Sequence, residues 1–234
     1  MFHYSLDSFP CKVSSNLLLG EDSRDAATES SKSRGIQIMI QLTAWAKYHQ
    51  LVKRGMKVEH PKLSIFGARY SIARGLPEFQ FNSTSSNISE SYLVALRIGL
   101  AYTALESLES SLSVGKTLQV GSNHLAIFFR STPNREFMET LIAHHTTEKK
   151  LANSLTSFLN GDSENLRFIA YAIRNLMFHG SLTANLLKLD KSKVRRAKLT
   201  LLAETILECL DLKFSEYVEE MQMLMNEDFD LKAV

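Results

Sequence analysis

Proline and glycine are scarce in this sequence: four Pro and ten Gly among 234 residues. Sheets and tight turns consume both, so their scarcity favours helices. Cysteine occurs twice, at Cys11 and Cys209. Two thiols make neither a disulfide framework nor a structural zinc site of their own, and they read as reduced cysteines of a cytoplasmic protein. A dominant charge is also missing. Twenty-seven basic and 25 acidic residues leave a formal net charge of +2. That excludes a histone-like polycation and confines any nucleic-acid site to a local patch. No apolar run approaches the ~18 residues of a membrane span. The start, Met1-Phe2-His3-Tyr4-Ser5-Leu6-Asp7, has no basic n-region, so neither a signal peptide nor a membrane partner is expected. Apolar residues at 44% and charged residues at 22% exclude disorder of the whole chain.

What is present reads as helix. Residues 20–34 are polar and Ser-rich, and 1–35 reads as a mobile N-terminal segment. Apolar spacing from Ile36 to Tyr48 predicts a helix over 36–54, stopped by Gly55. Residues 57–88 hold two of the prolines and several Gly and Ser, which predicts an irregular stretch with a short hairpin. Leu93, Ala101, Leu105, Leu108 and Leu112 predict a long helix over 89–113. Pro133 can open a helix that runs to about Leu159, because a proline costs nothing in a first turn. Asp162 or Ser163 caps another helix, ending at His179-Gly180. Ile206, Leu210, Phe214, Val218, Met221 and Met225 form one stripe of a last long helix over 191–225. The sum is an all-α bundle of four or five main helices, residues 89–234, with an N-terminal extension over 36–88.

One helix carries a chemical pattern. In residues 162–180, DSENLRFIAYAIRNLMFHG, the side chains of Leu166, Ile169, Ala170, Ile173, Leu176 and Met177 cluster on one face. The opposite face holds Arg167, Tyr171, Arg174, Asn175, Phe178 and His179. Asn175 and His179 are i, i+4 neighbours beside Arg174, so a guanidinium, an amide and an imidazole share one helix end. An imidazole titrates near neutral pH and can take or give a proton. A permanently charged guanidinium can stabilise charge that builds on a phosphorus centre. A second Arg-to-His stretch, Arg54 to His60, contains Gly55 and runs into Pro61, so it straddles a helix end and is set aside.

The stretch Arg174-Asn175-Leu176-Met177-Phe178-His179 resembles the motif of the HEPN superfamily, helical domains with an Arg-x4–6-His pattern at the end of a late helix. The His-Gly end and the segment Tyr102-Thr103-Ala104-Leu105-Glu106-Ser107-Leu108 are similar to that superfamily too, and the resemblance covers roughly 89–225. It implies a metal-independent endoribonuclease, working as a homodimer whose two motifs face one cleft, with no cofactor. Arg174 and His179 would carry the chemistry, Asn175 would assist, and Tyr171 and Glu106 would support the site. It also implies a toxin–antitoxin, defence or stress-response setting, with RNA and an antitoxin or regulatory protein as partners. Some members carry a Tyr two residues after the motif His, which a paired antitoxin modifies. Here that position is Ser181. The other reading is a non-catalytic helical module that binds nucleotide, RNA or a partner protein.

Elsewhere, Lys191, Lys193, Arg195, Arg196 and Lys198 form a basic patch that can meet RNA phosphates together with Arg167. Residues 204–230 carry nine acidic groups and one Lys, a solvated or protein-facing surface rather than an RNA contact. His144 and Glu148 stand at i, i+4, but with no third ligand evident they read as a plain polar helix face, and no metal is assigned.

Overall fold

The computed structural model describes residues 11–12, 42–56, 60–76, 86–112, 117–181, 189 and 191–230. Among them are eight helices and one two-residue strand pair. The helices are α1 (Trp45–Lys53), α2 (His60–Gly75), α3 (Ser86–Leu112), α4 (Asn123–Arg130), α5 (Thr132–His144), α6 (Lys149–Asn160), α7 (Arg167–Phe178) and α8 (Lys193–Asp230). Strand β1 (Cys11–Lys12) pairs in parallel with β2 (Val120–Gly121). The chain is an all-α helical bundle. None of the described helices is long and apolar enough to cross a membrane.

The 27-residue α3 lies at the centre, and α2, α7 and α8 all pack against it. Ala95, Ile98, Ala101, Ala104, Leu105 and Leu108 are buried along it. Small residues alternate with large ones there, which lets neighbouring helices approach. Gly99 shows the limit: a Cβ at that position would come within 2.5 Å of the Met177 methyl on α7.

The structure corrects several expected boundaries. The stretch 57–88, expected to be irregular, contains α2. Pro61 sits in the first turn of α2, where its missing N–H costs nothing. Gly67 is not a breaker but a packing residue, because a Cβ there would lie 2.7 Å from the Trp45 ring. The single helix expected over 133–159 is two helices, α5 and α6, broken at a corner over 145–148. Residues 117–130, between the helices expected over 89–113 and from Pro133, hold β2 and α4. Gly55, with φ of 96°, ends α1 as expected. The 1–35 segment and the first residues of the 36–54 helix lie outside the described residues, apart from the Cys11–Lys12 pairing.

The boundary expected at 88/89 is not a boundary of the core. One continuous cluster joins Leu42, Tyr48, Leu63 and Phe66 to Ile206, Leu210 and Phe214. Phe214 on α8 meets Trp45, Tyr48 and Phe66 with ring centroids 5.5, 5.6 and 5.6 Å apart. Such tilted aromatic contacts contribute beyond the area they bury. Burial pushes the phenols of Tyr48 and Tyr70 up to about 12, with Tyr217 adding at Tyr48 and Asp211 at Tyr70. A polar clamp sits beside this cluster. Glu204 of α8 takes Arg97 of α3 on one carboxylate oxygen and Arg74 of α2 on the other, the latter at 2.5 Å. Arg97 Nε also donates to the Ala73 carbonyl at 3.1 Å.

Phe214→Ala is expected to cost about 3–5 kcal/mol, as for other buried aromatic truncations. Urea unfolding followed by Trp45 fluorescence and by circular dichroism should shift together. Loss of the Trp45 signal well before the helix signal would show that α1 and α2 form a separate unit.

Candidate active site at the end of α7

α7 ends in a left-handed turn. Gly180 has φ of 70°, its N–H reaches Met177 O at 3.2 Å, and Ser181 N–H reaches Leu176 O at 2.9 Å. These are the two bonds of a Schellman motif, which glycine closes without steric cost. The turn fixes His179 as the C-cap, with its N–H on Asn175 O at 2.9 Å. The imidazole of His179 is exposed, and no side-chain hydrogen bond ties it to another described residue.

Arg174 is half-buried and has a defined direction. Its Nη1 donates to Asn175 Oδ1 at 2.9 Å, and its Nη2 lies 3.6 Å from the Glu106 carboxylate on α3. The guanidinium rests over the Phe178 ring, 5.3 Å from the centroid. Phe178 is 55% exposed, so an apolar ring and a cation share the surface here. Arg174 Nε is buried with no hydrogen-bond partner.

Asn175 is not on the exposed face where the sequence placed it, and this corrects the expectation. It is 3% exposed. Its Nδ2 donates to both oxygens of Glu148, at 3.2 and 3.1 Å, which leaves Oδ1 free to turn to Arg174. An amide has its acceptor and its donors on opposite arms, so fixing one arm fixes the other. Glu148 is the N-cap of α6 but makes no side-chain cap bond. It is held instead by His145, whose Nδ1 is 3.3 Å from Oε1. His145 Nε2 is 3.1 Å from the Ala172 carbonyl on α7. Both facing atoms are acceptors, so both contacts are hydrogen bonds only when the ring carries two protons. The result is a chain from Ala172 O through His145, Glu148 and Asn175 to Arg174.

His144 and Glu148 were expected only as a plain polar helix face. The pairing considered at i, i+4 between His144 and Glu148 does not form, because the helix breaks at His145 and His144 stays exposed. The corner over 145–148 carries no Pro or Gly, so the sequence gives no signal that the helix breaks there.

The other expected site residues divide. Tyr171 stacks on Tyr102 of α3, with centroids 5.1 Å apart, and supports α7 rather than facing a ligand. Glu106 pairs with Arg174 as described. Arg167 was expected among exposed RNA-binding groups, and the structure buries it. It forms an ion pair with Glu109 at 2.7 Å and donates to Leu118 O at 3.2 Å. Burial pulls its pKa down, but the Glu109 and Tyr102 bonds outweigh that and hold it above its ordinary value. Tyr102 in turn is raised by burial, against the lowering effect of Arg167.

The basic patch is corrected in the same way. Arg195 is buried over Phe137, 5.2 Å from the centroid, and burial lowers its pKa. Arg196 is buried against Leu189 O at 2.6 Å, Asn87 Oδ1 at 2.9 Å and Glu90 at 3.2 Å. Both are internal fasteners of the α8 start. Lys191 and Lys193 are exposed. Lys198 sits against the His124 ring at 3.0 Å and over Phe128.

Glu148→Ala would leave the Asn175 amide and a His145 nitrogen buried without an acceptor. The expected loss is about 1–3 kcal/mol of stability, the usual cost of orphaning a buried polar group. A denaturation midpoint unchanged from wild type would show that the corner is held by other contacts.

No family model matches the chain, and neither a curated protein nor a solved structure does.

Proposed function

We propose that this chain is a metal-independent endoribonuclease of the HEPN type, acting as a cytoplasmic homodimer whose two Arg174–His179 pairs line one cleft on RNA. The observation that carries this reading is the end of α7. A guanidinium anchored at Nη1 by Asn175 rests over an exposed ring, and the residue after that ring is the exposed His179 on the Schellman turn.

The chemistry follows from these groups. His179 takes the proton of a ribose 2′-OH, and the 2′-oxygen attacks the adjacent phosphorus. The bond from phosphorus to the 5′-oxygen breaks. That oxygen takes its proton from His179 of the partner subunit, and a 2′,3′-cyclic phosphate remains. Arg174 stabilises the added charge on the phosphorane. Asn175 does not touch substrate in this scheme; it holds Arg174. The need for a 2′-OH selects RNA over DNA. Lys191 and Lys193 are the members of the predicted basic patch left to meet phosphates. An antitoxin or regulatory partner, and a toxin–antitoxin, defence or stress-response setting, belong to the same proposal.

A second reading has an observation in its favour. Arg174 already has Asn175, Glu106 and Phe178 as partners. A guanidinium so engaged also suits a non-catalytic module that binds nucleotide, RNA or a partner protein.

Mixed-sequence RNA incubated with the protein in EDTA should be cut. His179→Ala should lower the rate by about 10²-fold or more, the usual weight of a positioned acid or base. Equal cutting by the variant would remove His179 from the mechanism. A folded, dimeric wild type that cuts nothing would favour the non-catalytic reading.

A further inference from the structure

α2 lies outside the segment that suggested a nuclease, yet it reaches the same site. Arg69 on α2 donates from Nη1 to the Thr103 carbonyl at 3.3 Å and to the Ser107 hydroxyl, both on α3. Its Nε and Nη2 have no partner among the described residues. The guanidinium is therefore anchored at one nitrogen and presents the rest of its fork. Arg174 on α7 meets the same helix, with Nη1 on Asn175 and Nη2 near Glu106. Thr103, Glu106 and Ser107 stand at i, i+3 and i+4, so they share one face of α3 within about 6 Å of its axis. Arg69 and Arg174 thus both meet one partly buried strip of α3.

A groove of about 230 Å³ runs along this strip, lined by Lys62, Ile65, Arg69, Glu106, Ser107 and Ser110. Glu106 lines the groove and also pairs with Arg174, so the groove and Arg174 share one carboxylate. Ile65 is 51% exposed, one turn from both Lys62 and Arg69 on α2.

We propose that this groove is an RNA subsite, in which Arg69 and Lys62 bind the backbone phosphate of a nucleotide next to the one cut at Arg174. Ile65 gives the base or ribose an apolar surface, and Ser110 offers a hydroxyl to the sugar. Glu106 keeps Arg174 turned to the groove until a phosphate displaces it. Arginine suits such a place because its fork matches phosphate oxygens in pairs. The subsite rests on the ribonuclease reading and adds the strand's path to it.

The test is binding of a labelled single-stranded RNA to His179→Ala protein, by fluorescence anisotropy, across a range of salt. Each phosphate contact on a single strand contributes roughly 0.7 to the slope of log affinity against log salt. Combining Lys62→Gln with Arg69→Gln removes both cations from that one phosphate and should flatten the slope by roughly 0.7, while Lys53→Gln on α1 should leave it unchanged. Arg69→Lys, which keeps the charge but not the fork, should weaken binding without changing the slope. Should the Lys62 and Arg69 double variant match the Lys53 control while wild type still cuts RNA, the subsite is wrong and the nuclease reading stands. RNA that binds neither wild type nor His179→Ala would overturn both. Circular dichroism of each variant separates lost binding from lost fold.

Discussion

The buried ion pair between Arg167 and Glu109 sets how α7 lies on α3. A charge removed from water is tolerated only with acceptors in place, so this pair admits little sliding. Two turns further along α7, Arg174 meets Glu106 on the next turn of the same α3 face. The two pairs have similar chemistry and different surroundings. The Arg167 and Glu109 side chains are 9% and 18% exposed, while those of Arg174 and Glu106 are 28% and 39% exposed. The inner pair, at 2.7 Å, is structural. The outer pair, at 3.6 Å, is loose and reachable. Register fixed at one end of the helix delivers a half-free arginine at the other.

Direction comes from a second element. The α5–α6 corner places His145 and Glu148 against α7, and Glu148 takes the donor arm of Asn175. The acceptor arm is then left to Arg174. Ala172 O stands at one end of this network and Phe178 and Glu106 at the other, while Arg174 Nε stays buried without a hydrogen bond. Arg174 is thereby tied to Asn175 and Glu106 through its two Nη atoms and stays partly exposed.

Much of the fold was legible because long amphipathic helices repeat their pattern many times. The expected 89–113 helix is Ser86–Leu112, and the expected last helix, 191–225, is Lys193–Asp230. The shorter elements were misread where one residue type serves two purposes. Gly67 looks like a breaker but makes room for Trp45. Arg195 and Arg196 look like a solvated patch, but adjacent positions on a helix turn inward when Phe137, Leu189 and Glu90 await them. Arg174 and His179 were visible because their spacing and the following glycine can be read along the chain. The depth of Asn175, and its partners His145 and Glu148, could not be read. They depend on where a separate corner docks, and α2's Arg69 depends on a helix the sequence did not suggest.

The central claim is that His179 and Arg174 cut RNA through its own 2′-hydroxyl. The most direct test is to compare an RNA oligonucleotide with its 2′-deoxy counterpart of the same sequence, in EDTA, and to analyse the product ends by mass spectrometry. The account predicts cleavage of the RNA alone, leaving 2′,3′-cyclic phosphate and 5′-hydroxyl ends. Cleavage of the deoxy strand, or products that carry a 5′-phosphate, would contradict it.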